Sequence, residues 1–185
     1  MDNQATVRAE RIREFTLDSA ALLIQEGGVD TLTLASVAAA ADLEEADLIA
    51  VFGNLETLVG EVADRMFQTF VGRVEGELGN DESPGAWVRA YVRGSFPEGE
   101  PDTFSRIGSV LLQSTAFRPW MIDRIRAYQG EMHAMLLNDG IEPEIAAIVR
   151  LAVDGLWMSK MFDIEAIPEA MERSVLDRLL AMAEG

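Results

Sequence analysis

Residues 28–52 read GVDTLTLASVAAAADLEEADLIAVF, and the fold is decided in this stretch. Thr33 is placed to cap a short helix over Leu34–Ala40, because a threonine hydroxyl satisfies a free N–H of a first helical turn. Ala41-Asp42-Leu43-Glu44 breaks that helix, and another short one is expected from about Glu45 to Phe52. Two short helices joined by a tight turn, with a longer helix ahead of them, suggest helix-turn-helix.

Helical periodicity continues on both sides, and period-two alternation is scarce. Upstream, Val7–Gln25 carries Ile12, Phe15, Ala20 (or Ser19), Leu22 and Leu23 at helical spacing, with Gly27-Gly28 as the stop. Downstream, Asn54 is placed to cap a helix running to about Leu78, and Glu56 suits the dipole of its first turn. Gly79 to Gly85 reads as a loop. Further helices are expected over Ala86–Ser95, Asp102–Ala116, Pro119–Asn138, Pro143–Phe162 and Pro168–Glu184, with Pro143 and Pro168 in first turns. The fold class is therefore all-α with about nine helices. A helix-turn-helix domain spans 1–52 and a larger domain spans 53–185, with the helix over 54–78 connecting them.

The chain has 185 residues, no cysteine and a formal charge of −17, with Lys160 and His133 as its single lysine and histidine. That length buries a real core. The missing cysteines exclude disulfides and thiolate chemistry. No leader-like segment opens the chain and no uncharged run is long enough to span a bilayer, so the expectation is a cytoplasmic protein away from membranes. A strong negative charge repels nucleic acid and anionic lipid.

Gly28, the capping Thr33, Val37 and the alanines Ala38 and Ala41 occur in the order seen in the TetR family of bacterial transcription regulators. Leu43, Leu48 and Phe52 stand where that family keeps apolar residues, and Glu56 with Leu58 fits the start of its fourth helix. Over about residues 8–65 the chain resembles this family. Leu151-Ala152-Val153-Asp154-Gly155-Leu156-Trp157 looks like part of some members' dimer-and-ligand domain. The resemblance implies a ligand-responsive homodimer that regulates transcription, with DNA-facing positions at Thr33, Glu44, Glu45, Asp47 and Ile49. The matched residues are structural: Val37 and Leu48 fill a small core, and Ala38 and Ala41 allow close helix approach. The departures fall on the DNA-facing positions. Asp42 and Glu44 replace a turn glycine and a small polar residue. Ala46, Asp47 and Ile49 stand for glycine, threonine and tyrosine, and Leu55 for a phosphate-binding lysine.

Charge points the same way without the family. No Lys or Arg occurs from Glu14 to Asp64, while Asp30, Asp42, Glu44, Glu45, Asp47, Glu56 and Glu61 do. Duplex affinity comes largely from cations that release counterions from phosphates. A carboxylate held against a phosphate costs roughly 1–4 kcal/mol instead, depending on screening. Arg8, Arg11 and Arg13 are the nearby cations for phosphate contacts. DNA is thus a partner by resemblance and electrostatically disfavoured. The face formed by Asp42, Glu44, Glu45 and Asp47 is either a solvated surface of good helix starters or one that docks on a basic protein, such as another regulator's DNA-binding surface.

Apolar and aromatic residues gather late in the chain. Phe104, Leu111, Phe117, Trp120, Met121, Trp157 and Met161 are either plain core or the lining of a cavity for a small apolar ligand, with Gln113, Arg124 and His133 as polar members. The family resemblance implies such a cavity. Ala147, Leu151, Gly155 and Met158, with Met171, Val175, Arg178, Leu179 and Met182, form stripes on the last two helices. In similar proteins such a pair makes the two-fold dimer interface; otherwise the stripes pack inside the monomer. A lone histidine makes no metal site of ordinary composition, and no nucleophile motif or phosphate loop occurs. No cofactor and no catalysis are expected.

Overall fold

The computed structural model describes residues 2–97, 103–164 and 167–184, apart from the side chains of 2–5, 103–105 and 169. Among these residues the chain forms nine helices and no strand: α1 (Asp2–Gly27), α2 (Leu34–Ala41), α3 (Glu45–Phe52), α4 (Leu55–Leu78), α5 (Ala86–Ser95), α6 (Thr103–Gln113), α7 (Arg118–Leu137), α8 (Pro143–Met161) and α9 (Glu169–Met182). None of the helices described is long and apolar enough to cross a membrane.

Local chemistry sets most of the boundaries. The Asn54 carboxamide accepts from the Thr57 N–H at 2.9 Å and opens α4. Pro143 occupies the first turn of α8, as its fixed φ allows. Pro168 instead caps α9 from outside, with extended backbone at φ −57° and ψ 136°. α6 ends at Gln113 and not at Ala116, because the Ser114 hydroxyl takes up the Ala116 N–H and Arg118 donates to the carbonyls of Leu112 and Gln113.

The chain divides into two compact units. The first comprises Met1–Phe67 and Arg106–Arg118, the second Gln68–Ser105 and Pro119–Gly185. A boundary at residue 52 falls inside the first unit, because Leu58, Val59, Val62, Ala63 and Met66 on α4 are buried there. In that unit α1, α2 and α3 pack on one another, with Ile24, Val37, Leu48 and Leu111 fully buried. The buried stripe of α1 is Ile12, Thr16, Leu17, Ala20, Ala21 and Ile24; Phe15 and Leu22 are 56% and 54% exposed. The small residues fix which face of α1 turns inward, since they admit the close approach of α2 and α3.

In the second unit α5 is the central helix and packs on α8 and α9. Its core joins Phe70, Val88, Val92, Met132, Leu136, Val149 and Leu179. The Asp139 carboxylate accepts from the N–H groups of Trp87 (3.0 Å) and Val88 (2.8 Å) and so caps α5. Arg89, only 9% exposed, donates to Ala183 O and Pro84 O at 2.9 Å and to the Asp81 carboxylate at 2.9 Å, tying the start of α5 to the end of α9. Tyr91 donates to Asp154, and burial first, then that carboxylate, pushes the Tyr91 hydroxyl pKa upward.

Candidate nucleic-acid interface

α2 and α3 form the helix-turn-helix of the first unit. Thr33 and Ser36 cap α2 reciprocally: the Thr33 hydroxyl accepts from Ser36 N and the Ser36 hydroxyl from Thr33 N, both at 3.0 Å. Thr33 is therefore occupied with its own helix. The turn is made at Asp42, whose backbone is left-handed at φ 55° and ψ 45° and whose N–H reaches back to Ala38 and Ala39. Aspartate tolerates this region better than most side chains, and glycine best.

α3 buries Leu48 and Phe52 and leaves Glu44, Glu45, Ala46, Ile49 and Ala50 in solvent, with Ile49 49% exposed. Glu44 caps the helix through its backbone only, and no basic residue stands in the last turn. The outward face thus offers two carboxylates and one branched apolar side chain, with the exposed Asp42 beside them. Asp47 is half-buried.

The arginines expected to meet phosphate are partly engaged by the protein's own carboxylates. Arg8 Nη2 lies 3.5 Å from Asp47 Oδ1. Arg13 is ion-paired with Glu61 and sits over the Phe52 ring, 5.2 Å from its centroid. Arg11 is exposed and pairs with no carboxylate among the described residues. Exposed pairs like Arg8–Asp47 are worth only about 0–1 kcal/mol and open readily. Arg13 is held more firmly, by ring and carboxylate together. Further along α1, Asp18 accepts from Arg65 at 2.7 Å.

The residues expected to line a ligand cavity fall in both units. Leu111, Gln113 and Phe117 belong to the first unit; Trp120, Met121, Arg124, His133, Trp157 and Met161 belong to the second. Met121 and Met161 are core residues, and Trp120 and Trp157 are half-buried. Gln113, Arg124 and His133 are exposed, with Arg124 stacked 5.1 Å from the Trp120 ring centroid, so none of the three is a polar group inside an apolar cavity. The side chain of Phe104 lies outside the described residues. The second unit instead carries an open groove of about 880 Å³ lined by none of them, between the ends of α4, α5 and α8 and the length of α9. A hint in the sequence was the position of the single lysine, Lys160, which lines it.

On α8, Ala147, Leu151, Gly155 and Met158 are exposed, Leu151 at 71%. On α9, Met171 and Arg178 are exposed and Val175 and Met182 half-buried. Leu179 is different: at 5% exposure it belongs to the core of its own unit, because the face of α9 bearing Leu179 and Ala183 turns inward.

A family model described as the tetracyclin repressor-like C-terminal domain matches residues 85–184. Similar solved structures include a transcriptional regulator from Rhodococcus sp. Rha1 (TM-score 0.70, 17% identity, 92% of this chain and 95% of that one). The fatty acid degradation regulator FadR from Bacillus halodurans gives a TM-score of 0.67 at 15% identity over 90% of this chain and 97% of that one. A TetR-family member from Streptomyces coelicolor A3 gives 0.67 at 22% identity over 90% and 96%. At these identities the likeness establishes the fold. No protein of curated function matches the chain in sequence.

Proposed function

The chain belongs to the tetracyclin repressor-like (TetR) family, and we propose that it is a ligand-responsive homodimeric transcriptional regulator whose helix-turn-helix binds DNA weakly or not at all. The observation that carries this reading is the charge of the groove-reading face. Glu44 and Glu45 point outward from α3, while Arg8 and Arg13 are paired with Asp47 and Glu61. A recognition helix that enters the major groove brings its first turn close to bases and phosphates. Here that turn is acidic. Each carboxylate–phosphate encounter costs roughly 1–4 kcal/mol, against about 1–3 kcal/mol for a good base contact. Fluorescence anisotropy on labelled duplexes at low salt tests the reading. Sequence-selective binding tighter than about 1 μM, beyond ordinary non-specific affinity, would sink it.

A second reading is favoured by Ile49, which stands 49% exposed one helical turn along α3 from the exposed Glu45. An apolar anchor on a helix whose first turn is acidic suits a basic protein surface, where opposite charge speeds association. In this reading the face occupies the DNA-binding surface of a related regulator. Converting Asp42, Glu44 and Asp47 to lysine abolishes capture of such a partner if the face is used; unchanged capture rules it out.

A further inference from the structure

The groove of the second unit has the size of a small-molecule site, at about 880 Å³. Part of its lining is apolar. Val92 is buried, and Leu176 and Leu180 are half-buried against the core of the unit. Its charges are balanced, with Arg93, Lys160 and Arg173 facing Glu77, Glu172 and Asp177, in a chain whose formal charge is −17. Two of those charges cancel directly. Lys160 Nζ lies 2.6 Å from Glu172 Oε1 and 5.0 Å from the centroid of the Phe96 ring. Arg93, in the last turn of α5, pairs with no carboxylate among the described residues.

We propose that this groove binds a small amphipathic monoanion, its carboxylate on the Arg93 guanidinium and its apolar body along Val92, Leu176 and Leu180. The proposal takes the ligand response of the preceding section as its premise and assigns it a site and a ligand class. A guanidinium binds a carboxylate through two parallel hydrogen bonds, and partial exclusion of water strengthens them. Glu77 and Asp177 stand against a polyanion, whose further charges would meet them. A neutral amphipath can accept at most an ordinary hydrogen bond from Arg93 and forfeits the paired, charge-assisted ones. The apolar floor explains why a small inorganic anion is not enough.

The single lysine makes the site directly observable. Reductive methylation with carbon-13 formaldehyde keeps the charge of Lys160 and gives one lysine resonance, on the groove, beside that of the amino terminus. Decanoate and decanol are titrated in parallel into the intact protein below their aggregation limits. The expected result is a saturable shift of the Lys160 resonance with decanoate, with decanol at least roughly tenfold weaker, the scale of a lost charge-assisted hydrogen bond. Arg93→Glu weakens decanoate by a similar factor and Arg93→Lys restores part of it; both substitutions lie on an exposed side chain, and a thermal melt confirms folding. The proposal is overturned if decanoate leaves the resonance unmoved to about 1 mM, a scale of very weak binding, if decanol acts equally, or if Arg93→Glu binds as tightly. Because the readout is binding, decanoate association in a protein that also binds a duplex tightly and selectively would count against the weak-DNA reading alone.

Discussion

The Ser114 hydroxyl donates to the Asp30 carboxylate at 2.6 Å, joining the residue after α6 to the turn between α1 and α2. Ser114 is 2% exposed, so its hydroxyl has no water to fall back on. The same oxygen accepts from Ala116 N and, at 3.4 Å, from Phe117 N. Ser114→Ala is expected to lower unfolding stability by about 1–2 kcal/mol in urea, discounted for the exposure of Asp30. Asp30→Asn, which still accepts a hydrogen bond, should cost less.

Reversing the outward charge of the helix-turn-helix should create duplex affinity. Asp42→Lys, Glu44→Lys and Asp47→Lys together remove three repulsive groups, add three cations and release Arg8 from Asp47. Anisotropy at low salt should show binding strengthened by at least about tenfold, and falling steeply as salt rises, as counterion release requires. A variant no better than the parent would mean that this face is not presented to DNA.

Leu151→Glu tests the dimer. Leu151 is 71% exposed in the protomer, so the substitution should leave the protomer's thermal midpoint nearly unchanged. In a two-fold assembly it enters twice and places a charge in each half of the interface. Sedimentation should show dissociation at least about tenfold easier, the result of losing more than 1.4 kcal/mol.

Gly85 has no room for a side chain. Its φ is +78°, and a Cβ there would lie 1.9 Å from the carbonyl oxygen of Ala183. Gly85→Ala combines backbone strain with a clash against main chain and should cost about 3 kcal/mol or more. Calorimetry should show the loss, along with weakened protection of the α9 amides.

Asp81 makes part of the stability depend on acid. Hydrogen bonds from the Ser83 hydroxyl and N–H, then from Arg89, hold its pKa at about 2, below the usual carboxylate range. The folded-state pKa is depressed, so its contribution is complete above the unfolded value of about 3.9 and fades as pH falls toward 2. The stability difference between the parent and Asp81→Asn should be constant near neutrality and shrink between about pH 4 and pH 2. A difference independent of pH would show that the carboxylate charge is not what Ser83 and Arg89 hold.

Elements bounded by local chemistry could be read from the sequence. α3 (Glu45–Phe52) and α5 (Ala86–Ser95) run where the breaks around Asp42, Asn54 and Gly85 place them. The inward face of α1 could not be read by hydrophobicity, because Thr16 and Ala21 are buried while Phe15 and Leu22 are exposed. There the decision lies with neighbouring helices that need small partners. The acidity of α3 was plain in the residues, but the pairing of Arg8 with Asp47 and Arg13 with Glu61 needed three dimensions. The groove was hidden for the same reason, since Glu77, Arg93, Lys160 and Leu176 come from separate stretches that meet only after folding.

The first unit is closed by a piece of chain that returns to it late, residues 106–118, which bury Ile107, Leu111 and Ser114 there. During synthesis, which proceeds from the amino terminus, α1 to α3 emerge long before those residues do. The helix-turn-helix must wait with part of its apolar surface uncovered until residues 106–118 have left the ribosome. A fragment ending at Phe67 would keep that vulnerability permanently, and aggregation in the cell is its expected fate.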